Sequence, residues 1–171
     1  MRALTRHGVA AAALAACSLG FGRAATAAPY KVYLSMSYIG NDWQAEATNM
    51  VRAMAASGTL KDKVSLEVQV AGANAQRQIQ QINAMVQAGA RAIVVYPISP
   101  TALNQVVHAA CAKGVTIIAY DAEITEPCAY NVHMDQVEAG RVTAEWLAKQ
   151  MGGKGNLVML TGVPGTSVDT K

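Results

Sequence analysis

The sequence predicts an α/β fold built around a parallel sheet, and three observations carry that prediction. Short runs rich in Val, Ile, Leu and Tyr recur along the chain, and amphipathic helical segments separate them. One run, residues 92–96 (AIVVY), is apolar at every position, as a strand covered on both faces must be. Strands separated by helices pair in parallel and connect through right-handed crossovers.

Residues 1–27 precede this pattern as an export leader. Arg2 and Arg6 stand ahead of an apolar stretch, and Ala25, Thr26 and Ala27 are the small residues a signal peptidase reads. A membrane-spanning helix needs about 20 apolar residues, and this stretch is shorter and broken by Gly20, Gly22 and Arg23. A second reading of the leader stays open, because residues 14–17 (LAAC) also resemble a lipobox that would leave the protein lipid-anchored through Cys17. An exported chain of this class meets little ATP or NAD, so capture of a small solute is expected rather than nucleotide chemistry.

Residues 31–35 read as the first strand. Residues 41–57 follow as a helix with Trp43, Ala47, Met50, Val51 and Met54 on one face, Asn41 as its cap, Gln44 placed for a capping box and Gly58 at its end. Residues 64–70 alternate as a second strand, and residues 74–88 form a helix presenting Ile79, Ile82, Met85 and Val86. After the third strand at 92–96, Ser99 and Pro100 supply an N-cap and a first-turn proline. The helix they open turns Leu103, Val106, Val107 and Ala110 inward and stops at Gly114. Residues 115–120 are a fourth strand, 121–128 an acidic turn and 129–133 a short β-like crossing. Asp135 and Glu138 form a further capping box for a helix running to Met151, with Val137, Val142, Trp146 and Leu147 as its apolar stripe. Residues 156–161 are predicted as a fifth apolar strand leading into 162–167 (GVPGTS). The chain then stops at Lys171 without a closing element, which reads as a truncated chain.

The chain carries 14 Lys and Arg against 11 Asp and Glu. Arg2, Arg6 and Arg23 belong to the leader, which leaves the remainder near neutrality and implies neither a nucleic-acid nor an anionic-membrane partner. Cys111 and Cys128 are an even pair once Cys17 leaves with the leader, and in an oxidising compartment a disulfide between them is expected. No His or Cys stands at ligand spacing around either, so no metal is expected. The sequence contains no G-x-S-x-G, Walker lysine loop, H-E-x-x-H or helix-opening G-x-G-x-x-G, and no cofactor is expected.

Ligands of an open parallel sheet bind beyond the carboxyl ends of its strands. Those ends fall at 37–43, 71–74, 96–99 and 121–123, and gather Asn41, Asp42, Trp43, Tyr96 and Asp121. An indole can lie on the apolar face of a sugar ring while amides and carboxylates bond its hydroxyls, an inventory suited to a neutral polyol. Each residue also has a purely structural reading: Asn41 as a helix cap, Asp42 as a favourable first-turn charge, Trp43 as core. Asp121 differs, because a carboxylate directly after a buried strand must be solvated or paired.

Taken together, the segments 31–35 (KVYLS), 93–97 (IVVYP), 115–121 (VTIIAYD) and 162–167 (GVPGTS), with Asn41, Asp42, Trp43 and Asp135, resemble the ribose/galactose-type periplasmic sugar-binding proteins of ABC transporters. The resemblance implies the periplasmic binding protein-like I fold, a parallel-sheet sandwich of two lobes that close on sugar. Residues 28–134 would be a near-complete sugar-binding lobe, and 135–171 the beginning of a second. It also implies a periplasmic monomer without catalysis, with a monosaccharide or related polyol as ligand, an inner-membrane ABC permease as partner and a chemoreceptor as a possible second one. Asn41 and Trp43 match the amide and stacking aromatics of the family's first loop, and Tyr96 falls where ribose binders often use asparagine. Asp121 matches the sugar-binding aspartate, but Ala122 stands where an arginine usually follows, which points away from ribose. Asp135 corresponds to a position near the crossing between lobes. Residues 121–128 also resemble the equivalent stretch of autoinducer-2 and rhamnose binders, cysteine included. Two other classes share the pattern: an exported α/β sugar-processing enzyme using Asp121 and Glu123 as its carboxylates, and the effector domain of a sugar-responsive repressor. The leader occupies the place where that repressor's helix-turn-helix would sit.

Overall fold

The structure, a computed structural model, describes residues 28–162 and 164–170. The predicted leader at 1–27, with Cys17, lies outside the described residues. Five strands form one sheet: β1 (Tyr30–Met36), β2 (Val64–Val70), β3 (Ala92–Tyr96), β4 (Thr116–Tyr120) and β5 (Tyr130–Val132). Every pairing is parallel, in the order β2-β1-β3-β4-β5. The helices are α1 (Asp42–Ala56), α2 (Ala75–Gln87), α3 (Asn104–Ala112), α4 (Gln136–Gln150) and a terminal turn of helix, α5 (Ser167–Thr170).

This order positions the site. The chain steps from β1 outward to β2 and then returns past β1 to β3, so the winding reverses between β1 and β3. Right-handed crossovers in opposite directions put α1 on one face and α2 and α3 on the other, opening a crevice beyond the carboxyl ends of β1 and β3. The main core lies on the α2/α3 face. There Tyr33, Ile93, Val95, Ile117 and Ala119 of the sheet pack against Ile82 and Met85 of α2 and Leu103, Val106, Val107 and Ala110 of α3.

The other face is less fully covered, and here the structure departs from the apolar stripe of the first helix. The residues α1 buries are Gln44 and Thr48. Trp43, Met50 and Met54 are 54, 58 and 57% exposed. Because α1 packs over β2 at the sheet edge, part of its apolar stripe overhangs the sheet, and with Val94, Tyr120 and Val132 borders an apolar hollow of about 560 Å³.

Three further elements differ from expectation. Ser99 Oγ accepts from the amides of Thr101 and Ala102, but residues 100–103 form turns and the helix proper begins at Asn104. Residues 156–161 are not a strand. Leu157, Val158, Met159 and Leu160 are 66 to 90% exposed, and among the described residues no strand pairs with them; an extended segment without a neighbour has no ladder to join. The reciprocal halves of both capping boxes are also unmade. Asn41 Oδ1 accepts from the Gln44 amide and Asp135 Oδ1 from the Glu138 amide, while the Gln44 side chain turns toward Tyr120 and that of Glu138 to Arg141. The expected Cys111–Cys128 disulfide is present, with Cα atoms 6.4 Å apart, and fastens the end of α3 to the turn before β5.

Candidate binding site

The carboxyl end of the sheet carries a row of aromatic rings. Trp43, at the second position of α1, stacks on Tyr120 with ring centroids 6.3 Å apart and planes 21° from parallel. Tyr120 in turn meets Tyr96 at 5.7 Å. The two tyrosines end adjacent strands, so the parallel register of β3 and β4 brings their rings together. Tyr120 Oη has two acceptors within reach of its single proton, Met36 Sδ (3.0 Å) and Gln44 Oε1 (3.4 Å). Burial raises the pKa of both tyrosines, more strongly for Tyr120, and the Asp121 charge adds to the rise in each; a hydrogen bond with Gln44 partly offsets it at Tyr96. Both phenols are therefore neutral near pH 7, able to donate and to accept.

Asp121 follows Tyr120 in an unusual backbone conformation. Its φ is +62°, in the left-handed region that costs a non-glycine residue energy. The Ala122 amide donates to the Tyr120 carbonyl (2.7 Å) across it, and its own amide donates to the Val132 carbonyl (3.0 Å), so the turn is pinned on both sides. Beyond it, Asn131 Oδ1 accepts from the Ile124 amide and Asn131 Nδ2 donates to the Ile124 carbonyl, each at 2.9 Å. Among the described residues no hydrogen-bond donor reaches the Asp121 carboxylate, and partial burial raises its pKa above the ordinary 3.8. The carboxylate thus sits half-buried on a left-handed turn, close enough to both phenols for its charge to raise their pKa.

The loop after β1 adds a second wall. Ser37 is fully buried and its Oγ has no partner among the described residues, while the ring of Tyr38 lies so close over Gly40 that any side chain there would collide with it.

Of the residues read from sequence, Trp43, Tyr96 and Asp121 come together. Asn41 caps α1 beside them and Asp42 is exposed in the first turn. Asp135 caps α4, its carboxylate taken up by the Glu138 amide. Glu123 stands next to His133, Oε2 to Nε2 at 3.7 Å, and its amide donates to Ser167 Oγ at 3.0 Å. Two members of the cluster were not singled out as site residues: Tyr120 and Gln44. The signal for Tyr120 was its place as the last residue of a strand, immediately before Asp121. Gln44 was read as a helix-capping residue, and a polar side chain within an apolar helix face carries no mark in sequence of where it points.

The model of the periplasmic binding protein domain family matches residues 32–171. The xylitol-binding protein of Mycolicibacterium smegmatis is 36% identical over 91 residues, covering 53% of this chain and 26% of that protein. The galactofuranose-binding protein YtfQ of Escherichia coli is 26% identical over 160 residues, covering 91% of this chain and 49% of that one. A Caulobacter myo-inositol-binding protein, solved with myo-inositol bound, superposes with a TM-score of 0.73 at 27% identity, covering 82% of this chain and 47% of that one. The chain thus spans between a quarter and a half of these curated relatives' length. With its parallel sheet, its reversal of winding between β1 and β3 and the family match over residues 32–171, the chain belongs to the periplasmic binding protein family.

Proposed function

We propose that this chain carries the first sugar-contacting lobe of an extracytoplasmic solute-binding protein of the ABC-transporter type, which captures a neutral monosaccharide or polyol and hands it unchanged to a membrane permease. The observation that carries the reading is the row Trp43–Tyr120–Tyr96 ending at Asp121. Rings present flat apolar faces to a carbon skeleton, neutral phenols exchange hydrogen bonds with hydroxyls, and a carboxylate lacking a donor accepts from two hydroxyls at once. The relatives' names, xylitol-, galactofuranose- and myo-inositol-binding, describe ligands of this chemistry. In this reading Asn41 and Asp42 line the rim, residues 28–134 form one lobe, residues 135–171 begin a second, and Asp135 belongs to the crossing between them.

Thermal unfolding in the presence of xylitol, myo-inositol, galactose and ribose tests it, since a ligand that binds only the folded state raises the melting temperature. A rise with one or more of them, with the ligand recovered chemically unchanged, is the expected result. A cooperative melt that none of them shifts counts against polyol capture.

A further inference from the structure

We infer that Gln78, on the second helix and outside the aromatic row, is a positioning residue that holds Tyr96 and the loop after it in place for binding. Gln78 is completely buried although its side chain is polar. Its Nε2 donates to the Tyr96 carbonyl (2.9 Å) and to Ser35 Oγ (3.2 Å), and its Oε1 accepts from the Ile98 amide (3.1 Å). Those bonds fall where β4 stops providing partners, while β1 still pairs with β3 as far as Tyr96. The β3–β4 register ends at Val95 opposite Ala119. Pro97, next in the chain and fully buried, has no N–H to offer. Beyond it the Ile98 amide is buried with Gln78 Oε1 as its partner. One side-chain amide therefore does the work of the missing strand. Its donor side fixes the carbonyl of Tyr96, its acceptor side fixes the chain two residues on, and Ser35 anchors the whole to β1. The Tyr96 carbonyl also receives the Ser37 amide (3.1 Å), so the same clamp reaches the first residue of the loop after β1.

The inference about binding rests on the proposed polyol site, but the clamp itself is read without a ligand. In Gln78→Met, which keeps the side-chain volume and removes all three bonds, amide hydrogen exchange at Ile98 is expected to rise at least about tenfold relative to Ile93 and Ile117 in the same protein. In Ile82→Val, one turn along the same helix, all three amides should change together or not at all. Should the methionine variant not fold, Gln78→Asn, which is too short to span both partners, gives the same reading. For whichever of xylitol, myo-inositol, galactose or ribose the wild-type chain binds by calorimetry, the Gln78 variant is expected to show a dissociation constant about tenfold or more higher, and Ile82→Val an unchanged one. If Ile98 exchange follows the core amides in the Gln78 variant, the clamp is overturned. If Ile98 is selectively released while affinity is unchanged, the clamp stands and its role in binding is overturned. If the wild-type chain binds none of the four compounds, the polyol reading fails, and Ile98 exchange still decides the clamp.

Discussion

At the scale of single residues, the candidate site separates stability from binding in ways that substitutions can expose. Trp43 is more than half exposed and stacks on one neighbour, so Trp43→Ala should leave the fold intact while weakening polyol binding by roughly 1–3 kcal/mol, read as affinity by calorimetry against melting temperature. A large fall in melting temperature with unchanged affinity would assign the indole to covering the hollow beside α1. Asp121 makes the opposite trade. Burial raises its pKa, so the native state holds this proton to a higher pH than the unfolded chain does, and ionisation costs stability as pH rises above about 3.8. Asn also tolerates the left-handed conformation better than most residues. The Asp121→Asn protein is therefore expected to melt at the same or a higher temperature than wild type at pH 7, with the difference closing near pH 3, while its affinity for polyol falls. A lower melting temperature at pH 7 would mean that the carboxylate has a stabilising partner after all.

At the scale of elements, the strands were legible because an apolar run between turns has few alternatives. Residues 92–96 are the strand their apolar run predicts, but only Ile93 and Val95, on the α2/α3 face, are fully buried, while Val94 on the other face borders the hollow. Residues 156–161 carry an equally apolar pattern without becoming a strand, since strand formation depends on a neighbour that lies elsewhere in the chain. The first helix shows a different limit. Its periodicity gave an apolar face, yet what decides burial is where the helix sits on the sheet, and an edge position buries Gln44 and Thr48 while Met50 and Met54 overhang. Asp121 stands out in the sequence because a charge after a buried strand is costly, whereas Tyr120 and Gln44 join its cluster only once β4 and α1 are placed side by side. The disulfide is the covalent link between elements, closing a loop of 17 residues between α3 and β5. Replacing both Cys111 and Cys128 by serine should lower the free energy of unfolding by about 3 kcal/mol, measured by chemical denaturation. An unchanged unfolding free energy would show that packing of the turn alone holds it.

For the molecule as a whole, the distribution of burial leads us to predict that residues 28–134 fold as an independent unit. Every member of the main core lies between Tyr33 and Ile124, and the partly buried residues packed on it extend only to Ala129. Helix α4 has no buried residue, and Leu157, Val158, Met159 and Leu160 are exposed. The Glu123 amide donates to Ser167 Oγ across the division close to the site, and Thr166 and Ser167 are buried there. A hydrogen bond of this kind contributes about 1 kcal/mol net. In a domain of this size that amounts to a shift of about 4–8 °C. A protein consisting of residues 28–134 should therefore unfold cooperatively, at a melting temperature lowered by about that interval for each such bond lost, in a circular dichroism melt. A broad, non-cooperative transition would make the 162–167 loop part of the lobe's own fold. Retained cooperativity would make that loop an appendage resting on the turn at Glu123.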